Sequence, residues 1–125
     1  MKIIIIDTNF LLAISQFKID IFAEISRICH FPYKLCILDK TMEELNNLEK
    51  KQKTKSHVNI ALKLIKGLEV IKTDSGEAVD TLLKKQPDDI IIATQDMELK
   101  KSLKNHTLIV IRQKNHLELK NQKLY

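Results

Sequence analysis

Two glycines, two prolines, two cysteines and no tryptophan in 125 residues exclude several classes of protein at once. Cys29 and Cys36 are separated by six residues, with His30 beside the first and no second ligand pair at zinc spacing, so buried structural thiols are the better reading than a disulfide framework or a zinc site. Gly67 and Gly76 stand too far apart for a dinucleotide-binding or P-loop fingerprint. Apolar runs such as Ile3 to Ile6 and Ile90 to Ala93 stop far short of the ~20 residues that a membrane span needs. The opening Lys2 leads into a strand-like run and not into the apolar region of a secretory leader, so a soluble, cytoplasmic protein with no membrane partner is expected. His57, His106 and His116 all read as surface positions, and none is arranged with a nucleophilic Ser or Cys. Aromatics make up 5%, too few for base stacking to be a large term in any nucleic-acid binding.

What is present is a chain 44% hydrophobic and 30% charged, long enough to bury roughly two-thirds of its unfolded surface as one domain. Ile3 to Ile6, Leu35 to Leu38, Leu68 to Ile71, Ile90 to Thr94 and Leu108 to Ile111 read as short buried strands. Between them lie helical stripes: Ile21, Phe22, Ile25, Ile28 and Cys29; Met42, Leu45 and Leu48; Val58, Ala61, Leu62 and Ile65; Ala78, Val79, Leu82 and Leu83; and the segment Glu98 to Lys104. Pro32 and Pro87 punctuate the pattern, the polar stretch from Lys50 to His57 joins two helices, and Thr73 and Asp74 are placed to cap the helix before Pro87. Strands apolar on every face, alternating with helices, predict an α/β/α sandwich around a five-stranded parallel sheet. Residues 1–113 form the domain in this reading, and 114–125 a basic tail that is a frayed helix or disordered.

Ligands of an open parallel sheet bind at the carboxyl ends of its strands. Asp7 follows the first strand directly and Asp96 follows the fourth, while Glu44 falls in the first turn after the second strand and Asp80 one to two turns into the helix after the third. Each has a plainer explanation: Asp7 and Asp96 as helix N-caps, Thr41 with Glu44 as a capping box, Asp80 as a solvated acid. The joint arrangement, one acid after each of four strands, favours a shared site for a hard cation. With those four set aside, 12 acids face 21 bases, of which Arg27 and Arg112 alone are arginine. Lysine suits sequence-independent contact with phosphate. The dense groups are Lys50, Lys51, Lys53 and Lys55, then Lys100, Lys101 and Lys104, the latter starting beside Asp96 and so better placed for a substrate, with Arg112 just past the last strand.

The segments Ile3 to Leu12 (IIIIDTNFLL), Thr41 to Leu48 (TMEELNNL), Glu77 to Leu83 (EAVDTLL) and Ile90 to Leu103 (IIIATQDMELKKSL) resemble, in order and spacing, the PIN-domain nucleases over residues 2–112. The resemblance implies strand order 3-2-1-4-5 and a Mg²⁺- or Mn²⁺-dependent endoribonuclease. It assigns Asp7, Glu44, Asp80 and Asp96 as catalytic metal ligands, Asn9 and Thr94 as residues that orient them, and Glu98 as an accessory acid. The charge pattern, apart from the resemblance, gives RNA contact to Lys100, Lys101 and Lys104, with Arg112 either binding phosphate or anchoring the tail. Two departures stand out: Val79 stands where one acid of a usual pair is expected, so one acid is missing unless Asp88 or Asp89 compensates, and those two read better as a polar turn before the fourth strand; Gln95 replaces a common Asn. The segments look closer to the ribosomal-RNA-processing branch than to VapC-type toxins, and the family implies a homodimer. A toxin restrained by an antitoxin, in place of a pre-ribosomal partner, and a non-catalytic RNA-binding scaffold are the alternatives.

Overall fold

A computed structural model describes residues 1–51, 55–73 and 75–121. The chain runs β1 (Lys2–Ile6), α1 (Thr8–Phe17), α2 (Ile21–Ile28), β2 (Tyr33–Leu38), α3 (Asp39–Glu49), α4 (Lys55–Leu64), β3 (Glu69–Ile71), α5 (Val79–Lys84), β4 (Ile91–Ala93), α6 (Met97–Ser102), β5 (Thr107–Arg112) and β6 (His116–Asn121). The sheet order is β3-β2-β1-β4-β5-β6, with the first five strands parallel, as expected, and β6 antiparallel to β5. Among the described residues no helix is long and apolar enough to cross a membrane.

Strand alternation divides the core cleanly. Ile4, Ile6, Ile37, Ile91, Ala93, Ile109 and Ile111 face one way, against α1, α2 and α4, while Ile5, Leu38, Ile92, Leu108 and Val110 face the other, against Val79, Leu82 and Leu83 of α5 and Leu99 and Leu103 at α6. Cys29 and Cys36 are buried free thiols, each pushed up from its ordinary pKa first by burial.

The sixth strand corrects the expected tail. His116–Asn121 pairs along its length with β5, from Arg112↔His116 to Thr107↔Asn121, and Leu117 is fully buried in the larger core. Leu117 also presents its outward backbone groups to α2: its N–H donates to Glu24 Oε1 (2.9 Å) and its carbonyl accepts from Arg27 Nη2 (2.8 Å), so an ion pair stands where a further strand would. The connecting turn is closed by the Asn115 N–H donating to the Arg112 carbonyl, and it holds Gln113 and Lys114 at φ 54° and 58°. Turns of this hand ordinarily recruit glycine or asparagine. Gln-Lys carries no such signal, which hides the hairpin from the sequence.

Other corrections follow from hydrogen bonding. Thr73 caps no helix; its N–H and hydroxyl donate to Asp39 at 3.0 and 2.6 Å, and α5 begins only at Val79, while Asp74 lies outside the described residues. His106 is buried, not on the surface, with Nε2 donating to the Gln86 carbonyl at 2.9 Å. Asp88 and Asp89, by contrast, form the polar turn before β4 that the sequence favoured, at the amino end of the strands and opposite the edge where Asp7 lies, so they do not stand in for an acid at 79. Val79 itself is a core residue, 3% exposed.

Candidate active site

β1 and β4 are central neighbours, and the Asp7 N–H donates to the Ala93 carbonyl (3.0 Å), which locks together the two strand ends that carry Asp7 and Thr94. Asp7 precedes α1 yet makes no side-chain capping bond to it. Its Oδ2 accepts instead from Thr94 Oγ1 at 3.0 Å, and the same Thr94 oxygen accepts from the Asp96 N–H at 3.1 Å. Asp96 does cap its helix, with Oδ1 accepting from the Glu98 and Leu99 N–H groups. One hydroxyl thus ties the first acid to the loop that presents the second.

Asp7 is 2% exposed. Burial pushes its pKa up to about 6; the bonds from Thr94 and the Thr8 backbone oppose this, and the negative charges of Asp80 and Asp96 add to it. Glu44, exposed as a residue but with its carboxylate partly shielded, is also pushed up, by burial first and then by Asp80 against a bond from Thr8. Asp80 therefore faces both Asp7 and Glu44, and it lies in the first turn of α5, not one to two turns in. The four expected acids form one electrostatically coupled group at one edge of the sheet.

Glu44 is held differently from the expected capping box. Leu38 is the N-cap of α3, and Thr41 Oγ1 lies 3.0 Å from Thr8 Oγ1, whose hydroxyl is shared with Glu44 Oε1 at 3.4 Å. Thr8 and Thr41 are both buried, and Thr8, which sequence reasoning did not single out, is the residue that bonds Glu44; it sits inside the D-T-N segment, and its partnership across 36 positions has no local signal. Asn9, expected to orient the acids, is exposed in the first turn of α1. Glu98 is exposed, its carboxylate 3.8 Å from Lys101 Nζ and its N–H donating to Asp96 Oδ1. Gln95 bonds back to the sheet, its Oε1 accepting from the Ile111 N–H at 2.7 Å.

Of the expected RNA contacts, Lys100 is half-buried on α6 and Lys101 and Lys104 are exposed, while Arg112 pairs with Glu118 at 3.3 Å. Lys53 lies outside the described residues, and Lys55 opens α4.

A family model described as a PIN like domain matches residues 4–116, and the chain belongs to that family. The class expected from the sequence, a PIN-domain nuclease, stands. Ribonuclease VapC4 of Methanocaldococcus jannaschii is 36% identical over 124 residues, spanning 93% of this chain and 95% of that protein. Among solved structures, the PIN domain endonuclease Utp24 superposes with a TM-score of 0.79 at 25% identity over 95% of this chain and 91% of its own. VapBC2 from Rickettsia felis, bound to a DNA fragment from its promoter, matches with a TM-score of 0.56 at 13% identity over 86% and 98%, a likeness of fold alone. The expected leaning toward ribosomal-RNA processing gains no specific support, since a relative matched along nearly the whole chain is a VapC ribonuclease.

Proposed function

We propose that this chain is a metal-dependent endoribonuclease of the VapC kind, cutting RNA at the edge formed by Asp7, Glu44, Asp80 and Asp96 and restrained by a small antitoxin protein. The observation that carries the reading is Asp7: a carboxylate 2% exposed, facing two further acids, pushed up to about 6 with no cation beside it among the described residues. The four carboxylates are hard oxygen donors whose mutual repulsion a divalent cation relieves, which fits Mg²⁺ or Mn²⁺. Among the described residues no three ligand-type side chains already stand close enough together to hold an ion, so the fit rests on donor chemistry and charge. Asp7, Asp80 and Asp96 would hold the metal with Glu44.

Such a metal, when bound, lowers the pKa of its water and neutralises phosphoryl oxygen charge. The protein's own part is positional. Thr94 directs its hydroxyl at Asp7 Oδ2 and keeps the Asp96 loop in register with it; Thr8 holds Glu44; the Asp96 cap fixes that carboxylate on the end of α6.

Cleavage of single-stranded and structured RNA in Mn²⁺ and in EDTA, by wild type and by Asp96→Asn, tests the proposal. Metal-dependent cutting that disappears in the variant is the expected result; RNA binding with no cutting under any condition would replace it with the scaffold reading. A second reading, ribosomal-RNA processing, draws on the likeness to Utp24. Growth arrest on expression, relieved by co-expressing an adjacent small open reading frame, supports the antitoxin-restrained enzyme, whereas accumulation of precursor ribosomal RNA on depletion supports the other.

A further inference from the structure

β6 brings a second set of charges to the molecule. Arg112 ends β5 at the same sheet edge as the four acids, tied there through the bond from the Ile111 N–H to Gln95, the residue between Thr94 and Asp96. Across the hairpin, His116, Glu118 and Lys120 stand opposite Arg112, Val110 and Leu108 and therefore project to the face that α6 covers. Lys100 lies one turn into α6, its N–H donating to the Asp96 carbonyl at 3.0 Å. It is half-buried, and the charges of Arg112 and Lys120 act on it. Among the described residues no carboxylate lies within ion-pair distance of Lys100 or Lys120, and Glu118 alone pairs with Arg112. A partly desolvated ammonium facing two more cations is unfavourable unless an anion joins it.

We propose that Lys100, Arg112 and Lys120 form a phosphate-binding track that carries one flank of an RNA strand away from the carboxylates, across α6 and onto β6. The track rests on the reading of the chain as a ribonuclease and extends it to substrate positioning. Lys120 faces Leu108, four residues before Arg112, so the track covers on the order of 13 Å of strand, enough for more than one phosphate. Glu118 occupies Arg112 in the free protein and is displaced when phosphate arrives. With so few aromatics, recognition along the track is by backbone charge.

The test is equilibrium binding of a labelled 12-nucleotide oligouridine to the full chain in EDTA, across a salt series, with thermal melts verifying that each variant is folded. Lys100→Gln and Lys120→Gln are each expected to weaken binding several-fold and to flatten the plot of log affinity against log salt by roughly 0.7. Glu118→Gln, which frees Arg112, is expected to tighten binding, an effect that a structural role would not produce. Lys34→Gln, on β2 far across the sheet, serves as the control and stays at the wild-type value. Wild-type affinity and slope in both lysine variants, or a loss as large in Lys34→Gln, would overturn the track. Cleavage in Mn²⁺ is scored separately: track-dependent binding without cleavage overturns the ribonuclease reading, and cleavage without track dependence overturns the track.

Discussion

The carboxyl ends of β1 and β2 lie side by side, and each is followed at once by an aspartate. Asp39 accepts three hydrogen bonds, from the Thr73 N–H, the Thr73 hydroxyl and the Lys40 N–H, which hold its carboxyl below the usual range. Asp7, one strand over, is buried and faces Asp80 and Asp96, and it is pushed up to about 6. The same position after the same kind of strand yields a carboxylate satisfied by its own chain and one left in need of a counter-charge. What separates a structural acid from a candidate ligand is its partner set, not its place along the strand.

The sharpest way to break this comparison is to neutralise each aspartate in turn. Asp7→Asn is expected to lower Mn²⁺-dependent RNA cleavage by about 100-fold or more, the several kcal/mol attributed to metal-centred charge stabilisation, while Asp39→Asn leaves it near the wild-type rate at a temperature where both are folded. Stability should move the opposite way. Asp7 has a folded pKa above its unfolded one, so its neutral form favours the fold; that contribution is present below about pH 3.8 and is lost as pH rises to about 6. In metal-free buffer Asp7→Asn should therefore match wild type near pH 4 and be more stable at pH 7, by about 2–3 kcal/mol in urea unfolding. Asp39, with a lowered pKa, contributes stability above its unfolded value that is lost on acidification, so Asp39→Asn should melt lower at pH 7 and converge on wild type in acid.

Thr94→Val removes the hydroxyl shared by Asp7 and the Asp96 N–H, at about 1–3 kcal/mol for the groups left unpaired. Cleavage should fall, and the acid limb of its pH profile should shift upward because Asp7 loses a bond that favours its ionised form. The smallest effect lies away from the site: Gln113→Gly relieves a left-handed residue in the β5–β6 turn and should stabilise by about 1 kcal/mol, seen as a higher urea midpoint with unchanged cleavage.

Much of this was legible in the sequence because the signals were local. Runs such as Ile3 to Ile6 marked buried parallel strands, and Asp7 and Asp96 after two of them marked the edge, while the strand order came with the family resemblance; the structure has that order and couples Asp7 to Asp80 and Asp96. What stayed hidden depends on distant pairs. Thr8 reaches Thr41 and Glu44, Thr73 reaches Asp39, and His106 reaches Gln86, none at a spacing that helix or turn rules mark. β6 was obscured because its turn uses Gln113 and Lys114 where glycine is usual, and because the edge of its Leu117 is completed by an ion pair from α2. Asn9 and Glu98, expected at the site by resemblance, stand exposed beside it.

The measurement that bears most directly on the contrast between the two aspartates is a thermal melt at pH 7.5 with increasing Mn²⁺, run on wild type, Asp7→Asn and Asp39→Asn. A cation that binds the folded acids alone raises the melting temperature with its concentration. Wild type and Asp39→Asn should both rise, and Asp7→Asn should stay flat from a higher starting point. A rise in Asp7→Asn equal to that of wild type, or no rise in wild type, would contradict the assignment of Asp7 as the carboxylate that requires the metal.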